Sequence, residues 1–138
     1  MTEGIEFAQL QRGADMFQGL RRELGVESFG INLVSLRPGQ RLRVHRHERQ
    51  EEVYLVLEGT LTLLIEGEPH ELGPDRLARV GPAVRRQLTN PTKEAVVVLA
   101  LGGAGEHEGR DALAWSDWDE EGPGRGPREI PLPDDLPI

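Results

Sequence analysis

From residue 25 onward the chain alternates between short apolar segments and turn signals. The signals fall at Gly25, Pro38-Gly39, Gly59, Gly67 to Pro69, Gly73-Pro74, Gly81-Pro82, Asn90-Pro91 and Gly102-Gly103. Between them lie segments of five to twelve residues rich in Val, Leu, Ile and Thr, the pattern of a many-stranded antiparallel sandwich or barrel. Several segments alternate with period two, notably Arg41 to His47 and Thr60 to Leu63, so each carries two chemically distinct faces. Phe29 to Leu36 reads as a strand. Val96-Val97-Val98-Leu99 is apolar at every position and reads as a central strand, covered on both sides.

The two ends follow other patterns. Ala14 to Leu24 places Ala14, Phe17, Leu20 and Leu24 at helical spacing, but Gly13 and Gly19 interrupt it, so helix and strand both stay open. Trp115 and Trp118 are three apart in Asp111 to Trp118, which fits a short helix laying both rings on the barrel. Residues 117–138 hold seven acids, two arginines and five of the ten prolines. That composition predicts an extended, solvated tail; the alternative is docking through Ile130, Leu132, Leu136 and Ile138. The expected organisation is a segment 1–27 of strand or helix packed on the barrel, a barrel over 28–104, and a C-terminal segment with an acidic, proline-rich tail over 105–138.

Composition narrows the function. With 138 residues the chain suits one domain. It has no cysteine, so disulfides, thiolate metal sites and a cysteine nucleophile are out. The net charge of -8 repels phosphate backbones, which argues against nucleic acid as a partner. The first residues are acidic where a signal peptide is basic, and the longest apolar run, Ala95 to Leu101, falls far short of the ~20 residues needed to span a bilayer. A soluble cytoplasmic protein is expected.

Candidate chemistry concentrates in Gly39-(five residues)-His45-Arg46-His47-(four residues)-Glu52-(six residues)-Gly59. Side chains at i and i+2 of a strand project from one face, so His45 and His47 can share a metal ion, with a carboxylate from the next strand completing the set. Two neighbouring carboxylates compete for that place. Counting back from Gly59, and strand parity with Tyr54, favour Glu52 over Glu51. Parity also puts Arg43 on the face of His45. His70, in a hairpin, and His107, in a charged glycine-rich loop, read as surface residues.

This stretch resembles the first conserved motif of the cupin superfamily, G(x)5HxH(x)3-4E(x)6G, at every fixed position. The second motif, G(x)5PxG(x)2H(x)3N, is matched in length from Asp75 to Asn90 but only Asn90 keeps its residue. Asp75, Gly81 and Ala83 stand in place of its Gly, Pro and Gly, and Arg86 in place of the fourth metal ligand, His. The resemblance spans about residues 28–101. It implies an all-β double-stranded β-helix, a jelly-roll barrel of the small cupin-2 type, with room for a short helix near each end. It also implies an internal site for a divalent transition metal, Fe, Mn, Ni or Zn, on His45, His47 and Glu52.

A guanidinium has no lone pair to donate to a metal, so Arg86 leaves a two-His, one-carboxylate set with open positions. Arg43 and Arg86, together with Tyr54, become candidates to hold a small anionic metabolite. The alternative for Arg86 is an ion pair with Glu52 or Glu58 in a metal-free barrel. Three functions fit: a metal-dependent dioxygenase, isomerase or lyase; a non-enzymatic small-molecule binder, with or without metal; and a structural dimer with a decayed site. Small cupins are often homodimers, and exposed strand edges give a physical motive for pairing.

Overall fold

The computed structural model describes residues 4–103 and 111–137. Its strands are β1 (Phe17–Gln18), β2 (Gly30–Leu36), β3 (Val44–His47), β4 (Glu51–Glu58), β5 (Leu61–Ile65), β6 (Glu68–Leu72), β7 (Leu77–Val80), β8 (Arg86–Thr89), β9 (Val96–Gly103) and β10 (Ala112–Trp115). They form two five-stranded sheets, ordered β1-β2-β9-β4-β7 and β10-β3-β8-β5-β6. Every pairing is antiparallel. Alternation fills the space between the sheets with one face of each: Val34, Leu36, Tyr54, Val56, Leu61, Leu63, Leu88 and Val98 form a continuous buried core. No helix among the described residues is long and apolar enough to cross a membrane.

β9 lies at the centre of its sheet, between β2 and β4, which explains its unbroken apolar run. Its outward residues Val97 and Leu99 join a second cluster with Leu20, Leu24 and Leu33. The ambiguous N-terminal stretch is both strand and helix. Phe17–Gln18 pairs with β2, then a single helical turn α1 (Leu20–Leu24) follows Gly19 and ends at Gly25 in the left-handed conformation. Leu20 is the buried residue of that turn and covers the outer face of the sheet.

Gly59, which closes the first motif, has φ +72°, and a Cβ there would lie 2.2 Å from the Ala95 carbonyl oxygen. Both the dihedral and the close approach therefore require glycine.

Two expectations for the C-terminal region are corrected. Ala112–Trp115 is a strand, not a helix: it pairs with β3, Ala112 opposite His47 and Ala114 opposite His45. The unpaired edge of β3 offers those backbone groups a ladder, and this outweighs a helical spacing defined by two residues. Trp118 sits in the following turn, and the Arg85 guanidinium lies 5.7 Å from the Trp115 ring centre and 5.6 Å from that of Trp118.

The acidic tail, expected to be solvated, docks on the barrel. Ile130 is 1% exposed. Arg43 Nε donates to the Ile130 carbonyl at 2.5 Å, Arg41 Nε to that of Asp134 at 2.9 Å, and Leu136 N–H to that of Gly39 at 2.7 Å. Burial of one large side chain and capture of backbone carbonyls by arginines offset the entropy of ordering a proline-stiffened chain. Ile130→Ala is expected to cost about 2–4 kcal/mol, the usual range for a fully buried aliphatic truncation. Urea unfolding reads this directly, and a loss below about 0.5 kcal/mol would mean that the tail contributes no core.

Candidate metal centre

His45 and His47 project from β3 and Glu52 from β4, so the cluster bridges the two sheets. One ligand atom from each lies within 4.8 Å of the others. His47 Nε2 is 3.1 Å and His45 Nε2 3.6 Å from Glu52 Oε1. The rings stand nearly perpendicular at a centroid separation of 5.5 Å. His45 Nδ1 donates to the Arg43 carbonyl at 3.1 Å. Because a carbonyl only accepts, this bond puts a proton on Nδ1 and turns Nε2 toward Glu52.

Glu52 Oε1 is the hub of the cluster. Tyr54 Oη donates to it at 2.5 Å, and Arg86 Nη2 lies 3.2 Å away. Arg86 sits opposite His45 in the β3–β8 pairing. It is fully buried, donates from Nε to Tyr54 Oη at 3.2 Å and from Nη1 to the Val84 carbonyl at 2.6 Å, and so holds Tyr54 against the carboxylate. Its Nη2 meets Oε1 without the alignment of a hydrogen bond, because the histidines and Tyr54 already crowd that oxygen.

Burial pushes the Glu52 carboxyl up, but hydrogen bonds and charge from His45 and His47 outweigh it and hold the group well below the usual carboxylate range. Burial, together with the Glu52 charge, pushes the Tyr54 phenol well above its ordinary value. At neutral pH the first is therefore a carboxylate and the second a proton donor. Two imidazole nitrogens and one carboxylate oxygen within 4.8 Å of one another fit a divalent transition metal. The neighbouring Glu51 faces outward, exposed, with Arg79 Nε at 2.6 Å.

The triad opens into a cavity of about 320 Å³. Arg43, His45, His47, Glu52 and Tyr54 line it, with Val34, Leu42, Leu88 and Ala100 among its apolar walls. Arg86 does not line it. Parity places Arg86 inward, but its guanidinium lies behind Glu52 and Tyr54, away from any molecule in the cavity, so the structure does not bring together the two arginines named as anion partners. His70 is an exposed residue of β6, and His107 lies outside the described residues.

Sequence reasoning missed Asp111. It is buried, accepts the backbone N–H of Arg49 at 3.0 Å and of Gln50 at 2.8 Å, and has Oδ2 3.8 Å from His47 Nδ1. Burial raises its pKa, but those two backbone bonds and the nearby His47 lower it below the usual value. Asp111 thus fixes the turn that carries the chain from His47 to Glu52. Nothing in the spacing announces it, since its partner Gln50 is 61 residues away in the chain.

Two antiparallel sheets enclosing a His/His/Glu cluster in an apolar barrel define a double-stranded β-helix with a candidate metal centre. The Cupin_2 model, described as a cupin domain, matches residues 32–102, and the chain belongs to the cupin family. No curated protein matches it. Among solved structures, a cupin protein from Bacteroides fragilis superposes with TM-score 0.67 at 23% identity, over 78% of this chain and 92% of that one. A cupin-superfamily sugar phosphate isomerase from Silicibacter pomeroyi superposes with TM-score 0.63 at 28% identity, over 82% and 76%. A Cupin 2 conserved barrel domain protein from Salinispora arenicola gives 0.62 at 21%, over 73% and 90%.

Proposed function

We propose that the protein is a metal-dependent enzyme of the isomerase, lyase or dioxygenase type, acting on a small anionic metabolite, with one divalent metal ion on His45, His47 and Glu52. The observation that carries this reading is the convergence of the two Nε2 atoms on Glu52 Oε1, with the His45 ring oriented by the Arg43 carbonyl. A divalent ion bound there supplies Lewis acidity toward a carbonyl or a water. Tyr54 and Arg86 hold the carboxylate in place from behind, Tyr54 keeps its proton at neutral pH, and Arg43 offers positive charge inside the cavity. The apolar walls lower the effective dielectric around these groups, which strengthens each of these interactions. The likeness to a sugar phosphate isomerase supports isomerase chemistry among the three types.

A second reading, a metal-free binding module, is favoured by one observation. Tyr54 and Arg86 already supply a hydrogen bond and a charge to Glu52 without an ion. Titrating Mn(II), Fe(II) and Ni(II) into chelator-stripped, untagged protein separates the two. Near-stoichiometric uptake with micromolar or tighter affinity is expected. Failure to take up any of the three would overturn the metalloenzyme reading.

A further inference from the structure

We propose that the cavity takes small monocarboxylates with an apolar body, gripped by Arg43, in preference to sugar phosphates. This rests on the reading of the cavity as the substrate site and narrows its substrate class. The volume of about 320 Å³ is at the low end of the ~300–1,000 Å³ of small-molecule sites. Asn32 is a polar lining residue, but much of the wall is Val34, Leu42, Leu88 and Ala100, all buried. The hydroxyls of a sugar set against them would lose water and gain no partner, which costs affinity at each one.

Charge selects in the same direction. Arg43 is the cationic side chain lining the cavity, and Arg86 is sealed behind Glu52 and Tyr54. One guanidinium neutralises one carboxylate, whereas a phosphate dianion set on it keeps a net negative charge in the same cavity as the Glu52 carboxylate. Arg43 is also aimed in advance: its Nε is held by the Ile130 carbonyl at 2.5 Å, and its two Nη atoms have no partner among the described residues. They are the free pair of a fork suited to a carboxylate.

His45 and His47 are same-face neighbours on β3, about 6.6 Å apart, and Arg43, just before that strand, lines the same cavity. A ligand with its carboxylate on Arg43 therefore has its opposite end toward the triad. A hydroxyl or carbonyl oxygen carried at that end would face His45, His47 and Glu52.

Calorimetry on chelator-stripped protein, repeated with Ni(II), tests this with benzoate, 3-phenylpropionate and 4-methylpentanoate against fructose 6-phosphate and inorganic phosphate. At least one apolar carboxylate should bind tenfold or more tightly than fructose 6-phosphate. Arg43→Gln should weaken it by tenfold or more, and Arg43→Lys by less. Val34→Thr, which keeps the wall's shape and makes it polar, should weaken it several-fold, with circular dichroism confirming that each variant is folded.

Equal or tighter binding of fructose 6-phosphate overturns the proposal. So does an unchanged carboxylate affinity in Arg43→Gln, or no binding of either class by folded protein with and without Ni(II). The metal reading fails separately. Protein that binds carboxylates but takes up no metal supports this inference and removes the enzyme, while protein that takes up metal but prefers fructose 6-phosphate does the reverse.

Discussion

Protein carrying both His45→Ala and His47→Ala is expected to lose metal uptake altogether while keeping its fold. The two imidazoles supply two of the three donor atoms of the cluster. Their removal leaves a lone carboxylate already engaged by Tyr54 and Arg86. The fall in affinity should far exceed the ~10–100-fold that follows loss of a supporting contact around a metal. Neither histidine belongs to the apolar core, so the circular dichroism spectrum should be that of the wild type, with stability lower by about 1 kcal/mol for the lost polar contacts. Metal analysis after dialysis gives the answer. Equal metal content in wild type and variant would refute the site.

Substitution of Arg86 is expected to move stability and metal affinity in opposite directions. Arg86→Met leaves Glu52 without its buried cation, and removing one partner of a buried pair costs ~3–5 kcal/mol. The lower end applies, because the Glu52 side chain keeps 16% exposure and both histidines. A loss of about 3 kcal/mol lowers the melting temperature of a domain of this size by roughly 10 °C.

The same change removes a positive charge 3.2 Å from the Glu52 carboxylate oxygen, so metal affinity should rise. Arg86→His should raise it further, by tenfold or more, because it removes the charge and adds an imidazole beside His45. Melting curves with and without Ni(II) read both effects, since an ion that binds only the folded state stabilises by mass action. Variants as stable as the wild type would mean that the Glu52–Arg86 contact contributes nothing. A metal affinity equal to the wild type in Arg86→His would remove Arg86 from the site.

The departures from the second cupin motif gain a physical meaning in the structure. Asp75 and Ala83, which stand where that motif has glycine, both have φ +69°. The backbone keeps a conformation that glycine adopts freely, and a non-glycine residue pays about 1–2 kcal/mol for it. Asn90, the residue retained, donates from its amide to the carbonyls of Leu36 and Glu94 and accepts from the Thr92 N–H. It ties together the end of β2 and the turn before β9. Its role is in the architecture of the barrel.

By itself the sequence determined what depends on local order. Turn residues marked the strands, the unbroken run 96–99 marked a central one, and period-two alternation put His45 and His47 on one face. The same parity turned Glu52 toward the cluster and Glu51 outward. What it could not carry was the identity of cross-chain partners, because alternation says which way a side chain leaves its own strand and nothing about what stands opposite. Only the tertiary structure put Arg86 behind Glu52 and outside the cavity, brought Asp111 beside His47, turned Ala112–Trp115 into the strand that covers the edge of β3, and laid the acidic tail against Arg41 and Arg43. Each of these rests on a hydrogen bond or a burial between residues far apart in the chain, and composition or spacing within either segment holds no trace of such pairings.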